Sequence, residues 1–212
     1  MTFSSCLTNQ DSILVLDASV IINLLATDHA NAILQALPTP IVVTENVIRE
    51  IEQGTVNGRP ESKQLLDLIH NRILRSEELS SIALEHFFDL VSGSTAASLG
   101  DGEAATLALA HSNGYTAAID EKKATKISSG RFESLRLITT VDILAYEPVR
   151  ISLGNEVLAR ATFQALKRAR MQVRENQFEW IQGVIGSENV GLCPSIRRLA
   201  KLQAAERCRY NQ

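Results

Sequence analysis

The chain has 212 residues, 45% hydrophobic and 21% charged, with a net charge of −3, long enough to bury a full core in one domain with an appendage. An apolar run near the N-terminus is broken by Asp17, Ser19 and Asn23 and has no basic residue ahead of it; it reads as neither a signal peptide nor a membrane span. Three cysteines, Cys6, Cys193 and Cys208, form an odd set without metal-ligand spacing, which argues against a zinc site and fits buried or incidental thiols in a reducing cytoplasm.

The charge is unevenly placed. Residues 1–149 hold 10 Lys/Arg against 19 Asp/Glu, net −9, whereas residues 150–212 hold 11 against 5, net +6. An acidic front is followed by a basic back, and the expected division is a domain over 1–149 and a basic helical extension over 150–212.

In chain order, "ILVL" before Asp17 predicts a short buried strand. Val20 to Leu25 follows as a helix with Ser19 as its cap. Ile41 to Val43 predicts a second strand, with Thr44 capping a helix that carries Glu50 and stops near Gly54. Glu61 to Leu68 reads as a helix, a short strand falls around Ile73 and Leu74, and Ser80 to Val91 is helical, ending in the loop "SGSTAASLG". The Ala/Leu content of "DGEAATLALAHSNG" predicts a helix ended by Gly114. "YTAAID" is a strand, Glu121 to Ile127 a short helix, "LRLIT" a fifth strand, and "VDILAYEP" a closing helix stopped by Pro148.

Strands alternating with helices at this spacing predict an α/β fold: a three-layer α/β/α arrangement around a central parallel five-stranded sheet, over roughly residues 10–148. Beyond Pro148 the pattern is purely helical. From Val157 to Glu175 a projection at 100° per residue gathers Leu158, Ala161, Ala165, Leu166, Ala169 and Val173 on one face and Arg160, Gln164, Lys167, Arg168, Arg170 and Arg174 on the other. Phe178 to Ile185 and a helix after Pro194 and Ser195, carrying Arg197, Arg198 and Lys201, complete the extension.

Ligands of open parallel sheets bind beyond the carboxyl ends of the strands, where Asp17 and Asp120 fall. Asp17, Glu50, the "GDGEA" pair Asp101 and Glu103, and Asp120 each have a bland reading as caps, helix-dipole partners or solvated residues. Gathered at one sheet edge they would repel one another without a cation, and hard carboxylate oxygens suit Mg²⁺ or Mn²⁺. Such a cation can activate water and neutralise charge developing on a phosphodiester. The four histidines show no H-x-x-x-H spacing, and no P-loop, dinucleotide or nucleophile-elbow motif occurs.

Four stretches resemble the PIN-domain family of metal-dependent ribonucleases: "LVLDASVIINLL", "VVTENVIREIEQG", "LGDGEAATLALA" and "YTAAIDEKKA", in the family's order and covering about residues 13 to 145. The resemblance implies an endoribonuclease with Mg²⁺ or Mn²⁺ as cofactor and Asp17, Glu50, Glu103 and Asp120 as its acidic quartet. Asp17 and Asp120 are the foremost ligands, with Asp101 competing with Glu103 for the third place. Ser19 supports the first acid, and Thr139 or Thr140 occupies a position where the family often has a small polar residue; Asp142 and Glu121 read as solvated. RNA is the implied substrate, with an antitoxin protein and a second copy of the chain as further partners, as in bacterial toxin–antitoxin pairs, and no membrane.

The stripe of Arg160, Lys167, Arg168, Arg170 and Arg174 reads either as a solvated face, as a contact for RNA phosphates or as a surface for an acidic protein. A rival reading of the whole chain is a non-catalytic PIN-like module that binds RNA or a protein partner.

Overall fold

The computed structural model describes residues 3–8, 13–56, 61–92 and 98–210. Five parallel strands form one sheet: β1 (Leu14–Leu16), β2 (Ile41–Thr44), β3 (Arg75–Glu77), β4 (Thr116–Ala118) and β5 (Leu137–Ile138), in the order β3-β2-β1-β4-β5. β1 therefore lies at the centre with β4 beside it, and the register pairs Leu16 with Ala118.

Alternation along the strands builds the layers. Leu14, Leu16, Val43, Ala118 and Ile138 belong to one apolar cluster, and Val15, Val42, Ala117 and Ile119 to another on the opposite face. The first cluster is covered by α1 (Ala18–Ala26), α2 (Ala30–Gln35), α3 (Glu45–Val56), α4 (Glu61–His70) and the later helices. The second is covered by α5 (Ser81–Val91), α6 (Asp101–Asn113) and α7 (Lys122–Arg131). From Ala104 to Ala110 every residue of α6 is buried, and its alanines let it lie close over the strands. His86 and His111 meet at the α5–α6 seam with ring centroids 4.9 Å apart, and Phe132 stacks on His111.

Most predicted elements are present with shifted ends. Thr44 Oγ1 does accept from Val47 N at 3.3 Å at the start of α3, and Gly114, at φ 67°, ends α6. α3 runs through Gly54 to Val56. The third strand is Arg75–Glu77 rather than Ile73 and Leu74, because it is an edge strand whose residues are exposed or half-buried, a composition that an apolar-run criterion passes over. α2 is an element that the residue pattern does not predict. Pro148 does not close a helix: α8 (Thr140–Ala145) ends before it, and Pro148 lies in the first turn of α9 (Glu147–Gln164), where a missing N–H costs nothing. Residues 93–97 of the predicted loop lie outside the described residues.

The extension departs further. α9 is broken at Gly154, at φ 72°, so its two halves meet at an angle. It does not continue to Glu175: Ala165–Ala169 form a π turn that closes on Arg170 in a left-handed conformation. Residues 171–174 are irregular and lead through a short 3₁₀ turn, Glu175–Gln177, into α10 (Phe178–Ile185), α11 (Ser187–Val190) and α12 (Arg197–Tyr210). Leu158, Ala165, Leu166, Val173, Phe178, Ile181 and Ile196 join the same cluster as β1's Leu14 and Leu16. No helix among the described residues is long and apolar enough to cross a membrane.

Candidate active site

Asp17 and Asp120 arrive together because β1 and β4 are paired in register. Asp17 N donates to Ala118 O at 3.1 Å, so the first acid leaves the sheet one residue past Leu16 and the second two residues past Ala118. Both are almost fully buried, at 2% and 4% exposure.

Asp17 is itself the N-cap of α1, the place assigned to Ser19 from sequence: its Oδ2 accepts from Ser19 N at 3.1 Å and Ser19 Oγ at 2.6 Å. Its Oδ1 is buried with no hydrogen-bond partner among the described residues. Burial raises the Asp17 carboxyl above the usual carboxylate range, the Ser19 and Ala18 hydrogen bonds oppose the rise, and Glu121 adds to it. A buried carboxylate oxygen without a donor is costly unless a proton or cation reaches it.

Asp120 sits in a cradle of three donors. Thr140 N donates to Oδ1 at 2.8 Å, and Thr140 Oγ1 at 2.5 Å and Asn23 Nδ2 at 2.7 Å both donate to Oδ2. Burial nonetheless pushes its carboxyl up to about 6, with Asp17 contributing to the rise. Asn23, on α1, is a site residue that the sequence motifs do not single out; a polar residue in an apolar helix, six positions after the first acid, is its only signal. Thr140 rather than Thr139 reaches the acid. Thr139 instead caps α8, its Oγ1 accepting from Asp142 N at 3.2 Å, while its N and Oγ1 donate to Asp142 Oδ2 at 2.9 and 2.6 Å.

Glu50 on α3 and Glu103 on α6 complete the group. Glu50 is exposed at the rim, yet its carboxylate lies against Gly102, where a Cβ would overlap it. Its carboxyl is pushed up to about 7 by burial of that end and by Asp17, Glu103 and Asp101. Glu103 is half-buried; burial and Asp17 raise its carboxyl, while the hydrogen bond from Gly100 N, 3.2 Å from Oε2, opposes the rise. Asp101 is exposed and acts on Glu50. The structure thus brings Asp17, Glu50, Glu103 and Asp120 into one electrostatic group, with Asp101 at its edge.

Asp142 and Glu121 are not solvated as expected. Asp142 is 4% exposed, holds Thr139, and accepts from Cys6 N at 3.1 Å. Glu121 is half-buried, raises the carboxyls of Asp17 and Glu103, and accepts from Gln172 Nε2 at 3.0 Å. That bond belongs to a strap from the extension: Arg174 Nη2 donates to Thr125 Oγ1 at 3.1 Å, and buried Gln177 donates from Nε2 to Thr139 Oγ1 at 2.8 Å.

The predicted basic stripe is dispersed. Arg160 pairs with Glu156 at 3.3 Å, Lys167 lies over the Phe163 ring, and Arg168 makes a two-pronged contact to Asp28 at 2.8 and 2.9 Å. Arg170 ends the π turn and lines, with Arg168, a cleft beside α1; Arg174 bonds to Thr125 on α7, the helix that follows Asp120.

Among the described residues no three His, Cys, Asp or Glu side chains lie close enough together to hold a metal ion between them. An open set of two buried carboxylates with others at the rim, one oxygen unpartnered, fits a hard cation that keeps several waters and takes one or two carboxylates from the protein.

The chain matches the family described as DUF3368, PIN domain, over residues 13–182. None of the curated proteins compared with it matches. Among solved structures it is similar to a chain of the crystal structure of VapBC2 from Rickettsia felis bound to a DNA fragment from their promoter, with 18% identity, 60% of this chain and 98% of that chain covered, and a TM-score of 0.43. The match over most of the chain, carrying the sheet and the acids at its carboxyl edge, places this protein in the PIN-domain family, whose members are generally nucleases.

Proposed function

We propose that the chain is an endoribonuclease that depends on Mg²⁺ or Mn²⁺, hydrolysing RNA phosphodiester bonds at the site of Asp17, Glu50, Glu103 and Asp120. The observation that carries this reading is the buried Oδ1 of Asp17, without a hydrogen-bond partner among the described residues, beside carboxyls of Glu50, Glu103 and Asp120 that burial and the Asp17 charge raise. Asp17 and Asp120 would hold the cation. Glu103 is the better third acid, since it is half-buried and its carboxyl is raised by Asp17, whereas Asp101 faces solvent.

When bound, the cation supplies charge neutralisation and activation of water. The protein's own groups supply the rest. Ser19, Asn23 and Thr140 fix the orientation of the two buried carboxylates, so that little reorganisation is needed when substrate arrives. Glu50, at the solvent rim with a protonation range near neutrality, can take up the proton that water loses as its oxygen bonds to phosphorus, while the bond from phosphorus to the leaving ribose oxygen breaks and that oxygen takes a proton from solvent.

The test is cleavage of a single-stranded oligoribonucleotide by the purified chain with Mg²⁺ or Mn²⁺, with chelator, and with Asp17→Asn. Cleavage that disappears in chelator and in the variant supports the reading. Full activity in either overturns it, and RNA binding without cleavage by any divalent cation would leave a non-catalytic module.

A further inference from the structure

Carboxylates that gather a cation also repel the phosphates flanking the one being cut, so a strand laid across this site needs positive charge beside it. Three clefts are candidates. The cleft of about 310 Å³ next to Glu50 carries Arg49 against two carboxylates, Glu50 and Asp101. The cleft of about 530 Å³ behind α1 carries Arg168 and Arg170 against Asp28 and Glu61, and Arg168 is already committed to Asp28. The third, of about 330 Å³, carries Lys122 and Arg198 against Glu175 as the one carboxylate among its described lining residues.

In this third cleft, Lys122 opens α7, two residues after Asp120, and Arg198 comes from α12 across the opening. Both are exposed, and neither is ion-paired to a described residue. Gln172 lines the same cleft and bonds Glu121, so the wall of the cleft is continuous with the acidic site. Ser195, also on the lining, has a buried hydroxyl with no hydrogen-bond partner among the described residues. Its apolar lining is Val173, Leu199 and Leu202, with no aromatic ring among the described lining residues on which a base could stack.

We infer that the cleft between the start of α7 and α12 is a phosphate subsite, in which Lys122 and Arg198 hold a backbone phosphate of the RNA strand next to the bond being cut. This rests on the nuclease reading above and deepens it: the C-terminal extension supplies one wall of the substrate path. Contacts to phosphate without a stacking platform bind the backbone and carry no base preference.

The test compares the full-length chain with Lys122→Gln/Arg198→Gln, Glu175→Gln and, as control, Lys63→Gln, an exposed lysine on α4. KM and kcat are measured on a single-stranded oligoribonucleotide over a salt series. The double variant is expected to raise KM by about tenfold with kcat little changed, and to flatten the slope of log affinity against log salt by about 0.7 for each phosphate it no longer neutralises. Glu175→Gln should lower KM, and Lys63→Gln should leave it unchanged. If the wild type cleaves RNA and the double variant keeps its KM and salt slope, the subsite is overturned while the nuclease reading stands. If the wild type does not cleave, inorganic phosphate is titrated in and followed by ³¹P line broadening. Saturable broadening that the double variant abolishes upholds the cleft as a phosphate site, and equal broadening, or none, in both overturns it.

Discussion

Gly102 has no side chain where the carboxylate of Glu50 lies, and a Cβ there would overlap Glu50 Oε2. The first turn of α6 thus serves two acids at once, carrying Glu103 and leaving room for Glu50 from α3. The Glu50 carboxylate is the end of a flexible side chain, so Gly102→Ala should displace it rather than unfold the helix. The expected outcome is a loss of cleavage rate close to that of Glu50→Ala, with stability unchanged or raised by up to about 1 kcal/mol from helix propensity. Adding Gly102→Ala to Glu50→Ala should lower activity no further, which kinetics on the four proteins of the cycle would show.

The cradle of Asp120 makes a second prediction. Thr140 donates twice to the carboxylate and Asn23 once. Thr140→Val removes one of these bonds in a buried place, at a cost of about 1.5–3 kcal/mol for a hydrogen bond to a charged group. Urea unfolding should show that loss, and titration calorimetry should show weaker Mn²⁺ binding. Thr139→Ser keeps the hydroxyl that caps α8 and should leave both measurements near wild type.

The strap tests the reach of the extension. Gln177 is 2% exposed, donates to Thr139 Oγ1 at 2.8 Å and accepts from Arg174 N at 3.0 Å. Gln177→Leu leaves both partners without it and should destabilise the chain by about 1–3 kcal/mol, with faster hydrogen exchange at the β5–α8 turn. Unchanged exchange there would mean that the strap does not secure the turn that carries Thr140.

Stability of the metal-free chain should fall as pH rises. Burial lifts Asp120 from 3.8 to about 6, and burial together with Asp17, Glu103 and Asp101 lifts Glu50 from 4.5 to about 7. A carboxyl whose protonation range is raised on folding contributes stability that is fully present below its unfolded value and is lost as pH climbs through the folded one. The window is therefore about pH 4 to 7. Melting temperature in chelator should drop across it, and saturating Mg²⁺ or Mn²⁺ should reduce the drop by stabilising the ionised carboxylates. A melting temperature that rises over this window in chelator would contradict the burial of uncompensated carboxylates.

Much of this architecture can be read from residue patterns because local and global preferences agree. β1 is apolar throughout and buried on both faces, as a central parallel strand must be, and the turn residues Thr44 and Gly114 act where their chemistry suggests. The parts that escape the sequence depend on partners distant along the chain. Asp142 looks like a solvated helix residue until Thr139 and the N-terminal segment at Cys6 close on it. β3 begins one residue past the apolar pair Ile73 and Leu74 that signals it, because an edge strand need not be apolar. The helix projected through Arg174 fails at the π turn, where the backbone leaves the α-helical path at Arg170 and the 100° periodicity loses its meaning. At the site, the acids are visible as residue types at strand and helix ends, but Asn23, Thr140 and Gly102 matter only through what three-dimensional packing places beside them.

Whether Asp17 and Asp120 form a cation site is met most directly by calorimetric titration of Mn²⁺ into the chelator-stripped chain and into Asp17→Asn and Asp120→Asn. Asn remains a good helix cap at position 17 and nearly matches Asp in shape; at position 120 its amide nitrogen must face a donor of Thr140 or Asn23, so a folded circular-dichroism spectrum is required of that variant before its titration counts. A cation held by these two carboxylates binds the wild type saturably, and each substitution abolishes that binding or weakens it by at least tenfold. Absence of saturable binding to the wild type, or equal binding by all three proteins, would contradict the assignment.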